Sequence, residues 1–515
     1  MHVWSMNPGV RGFTPMRNRL ACSQEEIFLD SVVHPLDLLI IMAYLGVVTW
    51  VGLKVSRGVH NEKDFFLAGR SLAWYVIGLS IIGTNISAEG YVGASGGAYK
   101  VGVAQANFEW IGAIPAMILA SLIFIPVYWR AGVYSIPEYM GMRYNGSVRV
   151  LLALITSTFA VFAIAVGLWA MALTLQTYLD WPIWVGILVT GTVVGLYSIA
   201  GGLRAVAYTD MMQVIVMFAG SLVIVALGIA QTDGFTGFAV KLTEHNPDHL
   251  HAFLPADHAD FPWPGVLMGL AIVLSPAYWC GSQTILQRTL GARTQWDASA
   301  AMMAAAFGKT LVPLLIVFPG LLALVMQADI AYPDMALPWV IKNVLPPGLS
   351  GLMFIALIAA LQSTVDSALN STSLMITRDI RGVLMKKADR SKDLVVGRML
   401  TGMILVVAML FAPSIGDFGG MYVFVQTLLS LFQGPTLALL VMGAFTRHVT
   451  PVAGLVTLVT GVALSGVLTL QELNMLYVAF LSFVYAIVCL IVVSFFTPKL
   501  PDDVLNRLVW RHESR

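Results

Sequence analysis

Long apolar segments recur along this chain, and they constrain its fold more than any other feature of the sequence. A helix needs about 20 mostly apolar residues to cross a bilayer, and about 13 segments meet that requirement. Only 11% of the 515 residues are charged and 58% are hydrophobic, which excludes an ordinary soluble globular protein. We therefore predict an all-α, multi-pass membrane protein. The predicted helices cover residues 36–54, 72–98, 104–129, 150–178, 183–200, 211–231, 264–288, 302–328, 350–376, 398–414, 420–444, 452–470 and 475–497.

Basic residues are distributed unevenly among the connecting loops. If the N-terminus lies outside, most of the 29 Lys and Arg residues fall in loops on the cytoplasmic side, including the run at 378–398. Cytoplasmic loops retain Lys and Arg, so we expect a cell-membrane protein with an outside N-terminus and a cytoplasmic C-terminus. Residues 1–35 are then a flexible outside tail, 36–500 the transmembrane domain and 501–515 a cytoplasmic tail.

Two predicted helices, the second and the seventh, are interrupted by glycines and polar residues. The interruptions are GTNISAEG at 83–90 and LSPAYWCGSQT at 274–284. Inverted repeats whose first helices are broken are typical of secondary transporters with a LeuT-like fold. The repeats would cover about 72–231 and 264–444, with the helices at 36–54, 452–470 and 475–497 added outside them.

The first interruption indicates a site for a cation. A helix that unwinds in lipid leaves backbone groups without partners, and the freed carbonyls of Gly83 and Ile86 suit a dehydrated cation. The alternative is that the glycines only allow neighbouring helices to pack closely.

The predicted helix at 350–376 carries small and polar residues on one face. Ala360, Ser363, Thr364 and Ser367 recur at helical spacing, and Asp366 borders them. Such hydroxyls either contribute to a polar site or bond only to carbonyls of their own helix. A carboxylate beside them favours a site, because it needs a cation, a proton or a basic partner.

Four ionisable side chains fall within predicted helices, where charge is costly and usually functional. They are Glu109, Asp210, Lys309 and Asp366. Glu109 and Lys309 have opposite charges, so they either form a structural salt bridge or hydrogen-bond a polar solute. The sequence contains no nucleophile and base pair, metal-ligand motif or phosphate loop, so we expect neither an enzyme nor a cofactor.

Several stretches resemble the sodium/solute symporter family, and within it the sodium/glucose cotransporter branch. The resemblance extends over roughly residues 36–500. It rests on FFLAGRSLAW (65–74), GTNISAEG (83–90), YSIPEYMGMRY (134–144), GGLRAVAYTDMMQ (201–213), SQTILQRTLGAR (282–293) and AALQSTVDSALNSTSLMITRDI (359–380). It implies Na+-coupled import of a sugar or related polyhydroxylated solute by alternating access. One chain would suffice for transport, and no nucleic-acid partner is expected.

The resemblance also implies cation sites. Its sodium site corresponds to Gly83, Ile86, Ala360, Ser363 and Thr364. Some family members have a second cation site, which corresponds here to Ser87, Asp210, Asp366 and Ser367. Family members often have Ser, Thr or Ala in place of Asp366. This departure suggests either a strengthened second sodium site or a carboxylate that binds a proton.

A solute pocket is implied in the same way. Glu109, Lys309 and Gln426 match hydrogen-bonding residues of the sugar pocket, whereas Gly90 and Ser275 replace a polar contact and an amide. The gates correspond to Tyr278 on the inner side and to Phe108 and Tyr422 on the outer side. Because Gly90 leaves extra room, glucose is not assured.

Two alternatives remain open. One is a sodium- or proton-coupled symporter for a sugar acid or another organic solute. The other, from a different class, is a membrane solute sensor that does not transport. Family members of that kind tend to carry an added cytoplasmic signalling domain, and only a short segment follows the last predicted helix.

Overall fold

The computed structural model describes residues 35–510 except 88, 180, 246, 331–332, 386–389 and 419–420. Most of both predicted tails therefore lies outside the described residues. Helices of the first half are α1 (Pro35–Ser56), α2 (Glu62–Leu67), α3 (Trp74–Asn85), α4 (Ala94–Val101), α5 (Ile114–Leu119), α6 (Ile125–Ala131), α7 (Ile136–Arg143), α8 (Gly146–Leu179), α9 (Ile183–Gln231) and α10 (Gly234–His245).

The second half is also helical in its described residues, and it contains both short and membrane-length helices. Its helices are α11 (Trp263–Gly265), α12 (Ser275–Gly281), α13 (Gln283–Leu290), α14 (Gln295–Lys309), α15 (Val312–Ile316), α16 (Phe318–Val325), α17 (Ala336–Val344), α18 (Leu349–Leu374), α19 (Gly382–Leu384), α20 (Asp393–Phe411), α21 (Met421–Phe445), α22 (Pro451–Leu470), α23 (Met475–Phe495) and α24 (Asp502–Leu508).

Ten helical segments of the described chain are long and apolar enough to cross a membrane. The total of about 13 stays a prediction, because some predicted spans consist of several short helices. α9 contains two predicted spans in one run of 49 residues. At 1.5 Å per residue it would be about 74 Å long if straight, more than twice the bilayer core. It bends at Gly202, whose φ of 54° and ψ of −150° are not helical.

Gly202 is the residue that this bend requires. A Cβ atom at this position would lie 2.2 Å from the carbonyl oxygen of Phe65, and its positive φ is unfavourable for other L-residues. The bend therefore separates the two spans that the sequence predicts at 183–200 and 211–231.

Both predicted helix breaks are present. α3 ends at Asn85, and Ile86 leaves the helix with φ of −79° and ψ of 76°. α12 ends at Gly281, and Ser282 is extended, with φ of −73° and ψ of 121°. Pro276 does not coincide with the second break, since α12 continues beyond it to Gly281.

α18 lies at the centre of the bundle, and 89% of its most apolar window is buried. It packs against α1, α3, α8 and α9. Its N-terminus is fixed by the buried carboxylate of Asp37, which accepts hydrogen bonds from the backbone N–H groups of Gly348 and Gly351 at 2.8 and 2.9 Å. A carboxylate is stabilising at a helix N-terminus. The hydroxyl-bearing face of α18 is thereby held beside the broken end of α3.

Candidate functional site

A cavity of about 250 Å³ lies between the breaks in α3 and α12 and the helices α18 and α21. All five predicted solute-binding residues line it, namely Gly90, Glu109, Ser275, Lys309 and Gln426. The predicted gate residues Phe108 and Tyr278 line it as well. The side chain of Tyr422 lies outside the described residues. The structure thus brings together the five predicted solute-binding residues from five separate segments of the chain. Their roles in binding stay predictions.

An ion pair forms part of the cavity wall. Lys309 Nζ donates a hydrogen bond to Glu109 Oε2, and Nζ lies 5.7 Å from the ring centroid of Trp279. The Lys309 side chain is 2% exposed and that of Glu109 15% exposed. Lys309 is the last residue of α14, where a cation interacts favourably with the helix dipole. The carboxylate is the more accessible partner, so a solute in the cavity can reach it.

Tyr278 connects the two broken helices. Its hydroxyl lies 3.5 Å from the amide Nδ2 of Asn85, the last residue of α3. Its ring packs edge-on against Trp279, with centroids 5.2 Å apart. The aromatic side chain therefore stands at the boundary between the cavity and the break in α3, while its role as a gate stays a prediction.

Besides Thr436 Oγ1, two buried polar atoms of cavity-lining residues have no hydrogen-bond partner among the described residues. They are Oδ1 of Asn85 and Oγ of Ser275. An unsatisfied buried polar atom costs free energy, so such atoms are usually paired. Both residues line the cavity, and a polar solute is well suited to bond them.

The predicted sodium-site residues meet where α3 ends. Thr364 Oγ1 lies 3.3 Å from the carbonyl oxygen of Thr84 and 3.2 Å from that of Ala360. Ser363 Oγ lies 3.4 Å from Thr84 Oγ1. A Cβ atom at Gly83 would be 3.3 Å from Ser363 Oγ and 2.7 Å from Val214 Cγ2. Gly83 therefore also allows close helix packing, so the two interpretations of this glycine are compatible.

The predicted second cation site contains an arginine that the sequence reasoning missed. Arg288 Nη2 forms a salt bridge with Asp210 Oδ2 at 3.0 Å, and both side chains are at most 1% exposed. The same guanidinium donates to the hydroxyls of Ser80, Thr84 and Ser367. The space between Asp210 and Ser367 is thus occupied by a permanent positive charge.

Ser87 does not join this cluster. Its hydroxyl accepts a hydrogen bond from the backbone N–H of Gly90 at 3.2 Å, and the residue lines the cavity.

Arg288 lies at the end of a predicted span, where an arginine is usually interfacial. The available signal is its place in α13, where seven of the eight residues are buried, Arg288 among them. In α13 the arginine is buried with its neighbours Gln287 and Thr289.

Asp366 has a different environment from Asp210. Tyr197 donates a hydrogen bond to Asp366 Oδ2 at 2.8 Å, and Ser367 donates to Oδ1 at 3.2 Å. Asp366 is fully buried and forms no salt bridge within the described part of the chain. The cluster therefore contains two buried carboxylates but only one guanidinium, which pairs with Asp210. Because an uncompensated buried charge is costly, the cluster requires a proton or a further cation when both carboxylates are buried.

Known proteins of similar sequence and structure identify the family. The model of the Sodium:solute symporter family matches residues 65–461. The Sodium/glucose cotransporter of Vibrio parahaemolyticus is 32% identical over 479 residues, covering 87% of this chain and 88% of that protein. Sodium/glucose cotransporter 1 of Oryctolagus cuniculus is 29% identical over 545 residues, covering 93% of this chain and 82% of that protein.

The fold is also shared with a solved structure. A Na+-coupled sialic acid symporter in a substrate-bound outward-open state superposes with a TM-score of 0.82 at 19% identity, covering 90% of this chain and 99% of that one. This likeness confirms the predicted LeuT-like fold. The chain belongs to the sodium:solute symporter family and is a Na+-coupled membrane transporter, not an enzyme.

Proposed function

We propose that this chain imports a sugar or related polyhydroxylated solute together with Na+, by alternating access. The single observation that carries the proposal is the cavity lined by Glu109, Lys309 and Gln426 beside the break in α3. In this proposal the N-terminus is outside and the C-terminus cytoplasmic, and one chain is sufficient for transport.

The polar groups of the cavity suit a solute with several hydroxyls. Glu109 accepts hydrogen bonds, Lys309 donates them, and Gln426 does both. A hydroxyl can donate to one such group and accept from another. The volume of about 250 Å³ lies below the range of pockets for drug-sized ligands, about 300–1,000 Å³, and suits one small solute.

The coupling ion is proposed to bind where α3 is broken. The hydroxyls of Ser363 and Thr364 lie within 3.4 Å of oxygen atoms of Thr84, and hard cations prefer oxygen ligands. Sodium bound there would join α3 to α18 and so favour one conformation over another. Coupling requires only this difference in affinity between conformations. Each Na+ that crosses the full potential contributes about 2.3 kcal/mol per 100 mV.

A second candidate function is transport of a sugar acid or another organic anion, coupled to sodium or protons. Two observations favour it. The ammonium of Lys309 adjoins the cavity and can pair with a carboxylate, and Asp366 lies in a cluster with an excess of carboxylates. The structurally similar protein is a Na+-coupled sialic acid symporter.

Uptake into proteoliposomes distinguishes these functions. We expect one or more labelled sugars or polyols to accumulate under an inward Na+ gradient and not under a matched K+ gradient. Accumulation of sugar acids alone would transfer the proposal to the second candidate. If no compound of the panel accumulates under either a Na+ or a proton gradient, the sugar proposal is wrong.

A further inference from the structure

A crevice of about 820 Å³ lies on the outer surface of the bundle, between α1, α9 and α20. Its walls carry the exposed apolar side chains of Leu53, Leu196 and Val406. In their most apolar windows, α1 is only 22% buried and α20 28% buried, so these helices present most of their surface to the bilayer. An apolar crevice on such a surface is suited to a hydrocarbon chain.

Glycines shape the crevice in two ways. Gly191 and Gly195 of α9 and Gly402 of α20 line it. A Cβ atom at Gly402 would meet only Ile199 Cδ1, at 3.6 Å, so the position faces open space. At Gly191 and Gly195, by contrast, a Cβ atom would lie 2.7 Å from Met409 Sδ and from Leu405 Cδ2, so these glycines let α9 and α20 approach closely. Gly402 therefore leaves room that a larger side chain would fill.

Basic side chains lie at one end of the crevice. Arg57 is exposed just beyond α1, and Arg398 lies in the second turn of α20. Arg398 Nη2 donates to the carbonyl oxygen of Ala200 at 3.1 Å, while its buried Nε has no partner among the described residues. Within the part of the chain that the structure describes, neither arginine forms a salt bridge. The two guanidinium groups therefore keep capacity to bind an anion.

A third arginine adds to this positive charge. Arg204 Nη1 lies 3.1 Å from the position of a Cβ atom on Gly58, the residue that follows Arg57. All three arginines belong to loops or helix ends that the sequence predicts to be cytoplasmic. The cytoplasmic leaflet contains the anionic lipids that attract basic segments.

We propose that this crevice binds an anionic phospholipid from the surrounding bilayer. The phosphate lies between Arg57 and Arg398, because guanidinium groups form paired hydrogen bonds with phosphate oxygens. One acyl chain lies along the glycines and the apolar walls. The inference concerns a surface separate from the solute cavity and does not depend on which solute is transported.

Native mass spectrometry of the full chain tests this proposal. The detergent-solubilised protein is titrated with phosphatidylglycerol and, separately, with phosphatidylcholine of the same acyl chains. We expect tighter binding of phosphatidylglycerol, and a loss of roughly tenfold or more in the Arg57→Gln/Arg398→Gln double variant. The matched control is Arg447→Gln, which removes a half-exposed basic side chain in another predicted cytoplasmic loop and should leave binding unchanged.

Two further variants separate charge from shape. The Arg57→Lys/Arg398→Lys double variant keeps the charge and should retain most of the preference for phosphatidylglycerol. Gly402→Leu keeps both arginines but fills the crevice, and it should weaken binding. Equal binding of both lipids, or unchanged phosphatidylglycerol binding in the glutamine double variant, would overturn the proposal. Unchanged binding in Gly402→Leu would equally overturn it.

Discussion

Two buried ion pairs join a basic residue of the second half of the chain to a carboxylate of the first half, and their surroundings differ. Arg288 and Asp210 are enclosed by the hydroxyls of Ser80, Thr84 and Ser367. Lys309 and Glu109 lie in the wall of the cavity, where the Glu109 side chain is 15% exposed. The first pair has its hydrogen bonds satisfied by protein groups. The second pair can exchange some of its contacts for those of a solute.

This difference suggests separate roles for similar chemistry. The Arg288–Asp210 pair connects α3, α9, α13 and α18, so it holds the broken helices in place. The Lys309–Glu109 pair connects α14 to the segment after α4 and faces the cavity. We therefore expect changes in the first pair to affect stability most, and changes in the second to affect solute affinity most.

The largest expected effect is that of Arg288→Met. Removal of one partner leaves the Asp210 carboxylate buried without its cation, which costs about 3–5 kcal/mol. Thermal melting of the purified protein in detergent measures the loss. The Arg288→Met/Asp210→Asn double variant should recover part of the stability, because it removes both charges. A single variant that melts like the wild type would show that the pair is not structural.

Glu109→Gln should have the next largest effect, on solute affinity. The amide keeps the shape but loses the charge, and hydrogen bonds to charged groups contribute about 1.5–3 kcal/mol. The KM for solute uptake should rise about tenfold or more, while the melting temperature changes little. Unaltered KM would remove Glu109 from the proposed solute site.

The Ser363→Ala/Thr364→Ala double variant should weaken sodium dependence. Loss of two oxygen ligands should raise the Na+ concentration for half-maximal uptake several-fold, with solute selectivity unchanged. Ser373→Ala is a matched control, since Ser373 is also buried on α18 but donates to the carbonyl of Asn370. If sodium activation is the same in both variants, the cation site has been assigned to the wrong hydroxyls.

Asp366→Asn tests the second buried carboxylate of the cluster, which bonds Tyr197 and Ser367 rather than Arg288. We expect either fewer Na+ ions per solute or loss of pH dependence of uptake, because the variant removes one excess negative charge. Ion flux measured together with solute flux gives the stoichiometry. The same stoichiometry and pH profile as in the wild type would make Asp366 a structural residue.

The smallest effect is expected at Asp334, a carboxylate outside the predicted spans that forms no salt bridge within the described residues. It is half-buried, and desolvation raises its pKa. The folded state therefore binds this proton more tightly than the unfolded state does. The stability that protonation contributes is present at low pH and is lost as pH rises through the raised pKa. Asp334→Asn should therefore melt slightly higher than the wild type at neutral pH and equally at low pH. A lower melting temperature at neutral pH would contradict this reasoning.

Much of the architecture could be predicted from the sequence, because lipid imposes simple requirements. Apolar length predicts α1 and α20–α23 to within a few residues, and the interrupted stretches predict the breaks near Ile86 and Ser282. Helical spacing predicts the hydroxyl face of α18. Intramembrane charge indicates Glu109 and Lys309, which the structure then pairs.

The Arg288–Asp210 pair could not be predicted in the same way. Periodicity describes the faces of one helix, whereas this contact joins residues 78 positions apart on α9 and α13. Arg288 also lies on α13, which begins only after the extended Ser282 at the end of α12. The position of Ser87 depends likewise on the backbone at Ile86, which leaves the helix in a direction that helical periodicity does not specify.

We expect the two ion pairs to have different roles, and a comparison of one variant from each pair tests this. Glu109→Gln and Asp210→Asn each neutralise one carboxylate, and both are compared with wild type for melting temperature and for Na+-dependent binding of the solute that accumulates in proteoliposomes. We expect a large loss of affinity with little loss of stability for Glu109→Gln, and the larger loss of stability for Asp210→Asn. If Glu109→Gln lowers stability as much as Asp210→Asn and leaves affinity unchanged, the two pairs have the same structural role and the claim is wrong.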